Sequence, residues 1–125
     1  MPSRILIVDD SAVVCALHSF ILQREGYETQ TARSGFEALE ELAKCPYQLA
    51  VIDVNMPRMD GYTLLRNIRG THETHGMPVI MVSTEQEARD RTRGMEIGAN
   101  VYMAKPTEPQ LLLDSVHALL ADQRR

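Results

Sequence analysis

No segment of this chain of 125 residues approaches the ~20 consecutive apolar residues that cross a bilayer, so no membrane insertion is expected. Met1-Pro2-Ser3-Arg4 runs straight into a short apolar stretch ending in two aspartates, which is not the layout of a signal peptide. Cysteine is scarce. Cys15 and Cys45 lie inside helical patterns with neither metal-ligand nor redox spacing, which excludes a disulfide framework and predicts two buried or half-buried thiols in a reducing compartment, the cytoplasm. Basic excess is also missing: 13 Lys+Arg face 17 Asp+Glu, for a net charge of -4. The acidic surplus lies in residues 1–60, with 5 basic against 9 acidic side chains, whereas residues 61–125 balance at 8 and 8. That distribution excludes a general nucleic-acid footprint. Without repeats, linkers or low-complexity tracts, residues 1–125 are expected to form one domain, a size that buries a sufficient core without staples.

What is present is an alternation. Ile5-Leu6-Ile7-Val8 is a β-branched apolar run too short for a helix and closed by Asp9-Asp10, as expected of a strand buried on both faces. Leu49-Ala50-Val51-Ile52 before Asp53 and Val79-Ile80-Met81-Val82 before Ser83 repeat the pattern. Helical spacing links them: Val13, Ala16, Leu17, Phe20 and Ile21 in a first helix, Ala38, Leu39 and Leu42 in a second, Leu64, Leu65 and Ile68 in a third. A fourth helix is expected over about Gln86–Glu96. A fifth is expected over about Pro109–Leu120, with Leu112, Leu113, Val116, Leu119 and Leu120 as its stripe. The more polar Tyr27–Thr31 and the short Val101–Met103 complete the strands as edges. Gly26, Gly35, Gly61, Gly70, Gly76 and Gly98 read as breakers between elements. The implied fold class is α/β: a five-stranded parallel sheet, order 2-1-3-4-5, doubly wound with five helices on both faces, flavodoxin-like.

In such a sheet ligands bind beyond the carboxyl ends of the strands where the winding reverses, here between Asp9-Asp10 and Asp53. Ser83 and Lys105 close the fourth strand and follow the fifth, so the fold gathers all five residues at one edge. Singly each has an ordinary explanation: Asp9 or Asp10 as a helix cap, with Ser11 competing, Asp53 as a loop acid, Ser83 as a cap and Lys105 as a solvated lysine. Together they make a chemical set. Clustered carboxylates repel unless a divalent cation compensates them, and an oxygen-only site suits Mg²⁺, which completes its shell with water and phosphate oxygens. Asp53 is placed to attack phosphorus, Lys105 to neutralise equatorial oxygens and Ser83 to donate a hydrogen bond.

Four blocks carry a resemblance along the whole chain: Ile5 to Ser11, Asp53-Val54-Asn55-Met56-Pro57-Arg58-Met59-Asp60-Gly61, Pro78 to Ser83, and Lys105-Pro106. The sequence resembles a response-regulator receiver domain of two-component signalling, most closely the stand-alone chemotaxis (CheY-like) type. The resemblance implies phosphorylation of Asp53 by a phosphohistidine on a histidine kinase or histidine phosphotransfer protein, with the domain catalysing much of the transfer and the later hydrolysis. It implies Mg²⁺ held directly by Asp10, through water by Asp9, and with Asp53 and the backbone carbonyl of Asn55 completing the protein's share of the site. Ser83 and Lys105 would contact the phosphoryl group. Asn55 and Glu85 would tune hydrolysis, giving decay over seconds to minutes, and Tyr102 would act with Ser83 as the switch. The Lys105-Pro106 bond is expected to be cis, turning the lysine back toward Asp53, while Thr107 departs from the aromatic often found there in the family.

Signal output is expected through the fourth helix, fifth strand and fifth helix, toward a partner protein and not nucleic acid, from a chain that is monomeric when unphosphorylated. Arg89, Arg91 and Arg93 alternate with Glu85, Glu87, Asp90 and Glu96 in the fourth helix and read as a solvated mixed face, with the docking of an acidic partner peptide as the alternative. His18, His72, His75 and His117 read as helix-surface or loop residues. The rival is a Mg²⁺-dependent phosphatase with an aspartate nucleophile, but Asn55 stands where such enzymes carry a second acid. A flavin or nucleotide module lacks its Gly-rich loop after the first strand. The chain also fits a phosphotransfer intermediate or a receiver detached from a larger regulator.

Overall fold

The computed structural model describes residues 2–84 and 88–123. Ten elements alternate: β1 (Arg4–Val8), α1 (Ala12–Gln23), β2 (Glu28–Ala32), α2 (Gly35–Lys44), β3 (Leu49–Asp53), α3 (Gly61–Gly70), β4 (Val79–Ser83), α4 (Ala88–Ile97), β5 (Val101–Ala104) and α5 (Pro109–Gln123). The strands form one parallel sheet in the order β2-β1-β3-β4-β5, as the apolar runs require. Strands β3 and β4 are buried along their full length because helices cover both faces, which is why their sequences are continuous rather than alternating.

Side chains of successive strand residues enter two separate cores. Leu6, Val8, Ala50, Ile52, Val79, Met81 and Tyr102 pack with Ala38, Leu64, Leu65 and Ile68 of α2 and α3. Ile5, Ile7, Leu49, Val51, Ile80, Val82 and Met103 pack with Cys15, Ile21 and Leu22 of α1 and with Leu112, Val116 and Leu120 of α5. Each large aliphatic side chain fully buried in these layers contributes about 1.5–3 kcal/mol. The helices start at defined caps, Ser11 accepting from Val14 N–H at 3.3 Å, Ser34 from Glu37 N–H at 3.1 Å and Asp60 from Thr63 N–H at 2.8 Å.

Several expectations are corrected. β2 lies one residue later than Tyr27–Thr31, and the helical start expected at Gln86 and Glu87 falls outside the described residues. Gly35, Gly61 and Gly70 are helical rather than intervening breakers. The largest difference is in α1, which buries Cys15, His18, Ile21 and Leu22 while Val13, Leu17 and Phe20 are 77%, 48% and 59% exposed. The face of α1 packed into the core carries Cys15, His18, Ile21 and Leu22, not the most hydrophobic stripe. His18 is therefore a core residue, not a surface one. Burial pushes its imidazole pKa down, against the pull of Asp9, so it enters the core in neutral form.

Candidate functional site

The sheet register sets the site. Val8 is level with Ile52, Asp53 with Val82, and Ser83 with Ala104, so Asp9, Asp53, Ser83 and Lys105 all emerge at the carboxyl edge around the reversal between β1 and β3. Asp9 and Asp53 are buried, Ser83 is fully enclosed, and Asp10 stands exposed at the rim. Carboxylate oxygens of Asp9, Asp10 and Asp53 lie within 4.8 Å of one another. Lys105 reaches in from beyond β5, its Nζ 2.8 Å from Asp9 Oδ2 and 3.3 Å from Asp53 Oδ1. The Lys105-Pro106 bond is cis, as the resemblance implied. Thr107, where the sequence departs from the usual aromatic, is buried with its hydroxyl unpartnered among the described residues.

Three carboxylates against one ammonium leave the site negative. Burial pushes the Asp53 carboxyl from 3.8 up to about 6, and the Asp9 charge adds to it, while Lys105 and the Asn55 N–H work the other way. Burial also acts to lower the Lys105 pKa, but its hydrogen bond to Asp9 and the charges of Asp53 and Asp9 outweigh that, and the net shift is upward. A buried carboxylate held this far above its usual range marks charge that the protein alone does not compensate. The donors are hard oxygens, two buried and one open to solvent, and their spread suits one small divalent cation.

Asn55 follows Asp53 closely: its N–H donates to Asp53 Oδ1 at 3.3 Å and its side chain donates to Thr84 Oγ1 at 3.4 Å. Glu85 lies outside the described residues.

A family described as the response regulator receiver domain matches residues 5–117. This chain belongs to the response regulator receiver family. The receiver is 36% identical over 118 residues to the transcriptional regulatory protein CpxR homolog of Haemophilus influenzae, covering 94% of this chain and 50% of that protein. The chain thus spans about half the length of the curated relatives it matches first. Among solved structures it is similar to the Vibrio cholerae chemotaxis protein CheY4, with a TM-score of 0.90, 32% identity, and coverage of 95% of this chain and 99% of that one. It is likewise similar to the signal receiver domain of a signal transduction histidine kinase from Syntrophus aciditrophicus, with a TM-score of 0.91, 36% identity and coverage of 98% and 93%.

The surroundings of Tyr102 and the role of Gly61 were not legible from the receiver's sequence. Tyr102 is buried, its hydroxyl 3.2 Å from that of Tyr62, which in turn donates to the Asp90 carbonyl at 3.2 Å. Gly94 makes room for the ring, since a Cβ there would sit 3.0 Å from Tyr102 Cδ2. Arg91 and Arg93 are more than a solvated face: their guanidinium carbons lie 5.5 Å from the Tyr102 ring centroid and 4.3 Å from that of Tyr62. Gly61 looked like turn punctuation, yet it is the buried first residue of α3, packed against the backbone at Asp53 and Val54.

Proposed function

We propose that this receiver is a phosphorylation-activated signalling switch in the cytoplasm that accepts a phosphoryl group on Asp53 in a Mg²⁺-dependent reaction. The observation that carries the reading is the convergence of Asp9, Asp10, Asp53 and Lys105 at the reversal of the sheet. Asp9, Asp10, Asp53 and the Asn55 carbonyl would hold the ion, which when bound supplies charge neutralisation for the entering phosphoryl oxygens. An Asp53 carboxylate oxygen forms the new O–P bond as the P–N bond to the donor histidine breaks. The leaving imidazole nitrogen keeps the electron pair and takes up a proton. Lys105, now shared between Asp9 and Asp53, has the reach to bind a phosphoryl oxygen instead, and the Ser83 hydroxyl donates to another. Asn55 and Glu85 tune hydrolysis by water.

Output passes through α4, β5 and α5 to a partner protein. Tyr102, held between Gly94, Arg91 and Tyr62, couples Ser83 to that face, with phosphorylation shifting a pre-existing equilibrium. A change in the Tyr102 ring resonances on phosphorylation is expected, and unchanged resonances would contradict the coupling. The unphosphorylated domain acts as a monomer, either as a stand-alone switch or as one module of a larger regulator, with residues 1–125 forming a single receiver domain.

The test is transfer from a phosphohistidine-bearing kinase or phosphotransfer protein. Wild type should take the phosphoryl group when Mg²⁺ is present, Asp53→Asn should not, and the product should decay within seconds to minutes of donor removal. Wild type that accepts nothing from any such donor would overturn the reading. A phosphate that persists for hours would overturn the roles given to Asn55 and Glu85.

A further inference from the structure

Loop β1–α1 has only three residues between strand and helix, Asp9, Asp10 and Ser11, and two of them are fixed from within the core or the helix. Asp9 is held by Lys105 at 2.8 Å, by the Ser11 N–H at 2.9 Å on its carboxylate, and by its own N–H to the Ala32 carbonyl at 3.1 Å. Ser11 is the cap of α1. Asp10, at the exposed rim, is held from a neighbouring loop that contributes no acid to the cluster. Arg33, immediately after β2, donates from both Nε and Nη2 to the Asp10 backbone carbonyl, at 3.0 and 2.7 Å.

The arginine is itself anchored. Its N–H donates to Glu37 Oε2 at 2.8 Å in the first turn of α2, beside the Ser34 cap. Gly35, two residues on, packs against Met59 of loop β3–α3, so the Arg33 loop bridges the loop that carries Asp9 and Asp10 and the loop that follows Asp53.

We propose that Arg33 is a positioning residue of the metal site: its two-pronged grip on the Asp10 peptide holds that carboxylate in convergence with Asp53. The inference rests on the metal-binding reading given above. A planar fork fixes a carbonyl in direction as well as distance, which a lysine ammonium does not do, and outer residues of this kind commonly change metal affinity by an order of magnitude. Charge alone would act in the opposite sense, because a cation beside a cation site weakens binding and its removal strengthens it.

These opposite signs make the test decisive. Mg²⁺ binding is measured by calorimetry on wild type, Arg33→Lys and Arg33→Met, with melting in EDTA as a control on the fold. Positioning predicts that Arg33→Lys binds Mg²⁺ roughly tenfold more weakly although the charge is kept, with little change in melting temperature, since the side chain is exposed. It also predicts that Arg33→Met, which removes the repelling charge along with the fork, still binds no more tightly than wild type. Wild-type affinity in Arg33→Lys, or tighter binding in Arg33→Met, would overturn the proposal while leaving the metal reading intact. Absence of Mg²⁺ binding by wild type would overturn both.

Discussion

In the absence of divalent cations, Asp53→Asn is expected to be more stable than wild type at pH 7.5 by about 3 kcal/mol. That figure is the free-energy equivalent of moving the Asp53 carboxyl from 3.8 to about 6. The sign follows from proton binding. Well below pH 3.8 the carboxyl is protonated in folded and unfolded chains alike, and it contributes no difference. Between about pH 4 and 6 the unfolded chain releases its proton first, so wild-type stability falls as pH rises, and above pH 6 the full penalty is present. Asparagine has no proton to release. It also leaves the Lys105–Asp9 pair in place at 2.8 Å. Urea denaturation in EDTA at pH 4 and at pH 7.5 measures the effect: the variant's advantage should be small at the lower pH and large at the higher. Added Mg²⁺ should stabilise wild type more than Asp53→Asn and close part of the gap. An advantage that is absent, or equal at both pH values, would contradict the account of an uncompensated charge.

Gly61→Ala is expected to destabilise the domain by about 3 kcal/mol, the upper range for a core substitution that forces backbone movement. Helix propensity alone points the other way, since alanine is favoured over glycine by about 1 kcal/mol within a helix. Packing decides against propensity here. A Cβ on Gly61 would fall on the carbonyl oxygen of Asp53 and 2.8 Å from the Val54 Cα. The Gly61 N–H also donates to the Val54 carbonyl at 2.8 Å, so α3 cannot back away without breaking that bond. Because the displaced atoms belong to Asp53 and its neighbour, the variant should also bind Mg²⁺ and accept phosphoryl groups more weakly. Gly35→Ala is the comparison, since its added carbon meets the flexible Met59 side chain instead of backbone. Equal stability of wild type and Gly61→Ala in denaturation would show that the close approach is relieved at no cost.

Strand order and the acidic edge were readable because each buried strand is a continuous apolar run ending in a polar residue: Val8 before Asp9, Ile52 before Asp53, Val82 before Ser83. A parallel sheet leaves few ways to arrange such runs, and the register then brings their ends together. Helix α1 was misread because hydrophobicity favours Val13, Leu17 and Phe20, whereas the face packed into the core carries Cys15, His18, Ile21 and Leu22. A neutral histidine and a thiol in the core carry little signal in a periodicity count. Arg33 and Tyr62 were invisible for a different reason: their roles lie in contacts to Asp10 and Tyr102, 23 and 40 residues distant along the chain, which only the assembled fold creates.

The most direct measurement of the central claim is the intact mass of the protein after incubation with acetyl phosphate, run with Mg²⁺, with EDTA, and on Asp53→Asn. The account predicts a single phosphoryl adduct on wild type that requires Mg²⁺, is absent from Asp53→Asn, and disappears with time once the donor is removed. An adduct that forms equally in EDTA, or that persists in Asp53→Asn, would contradict it.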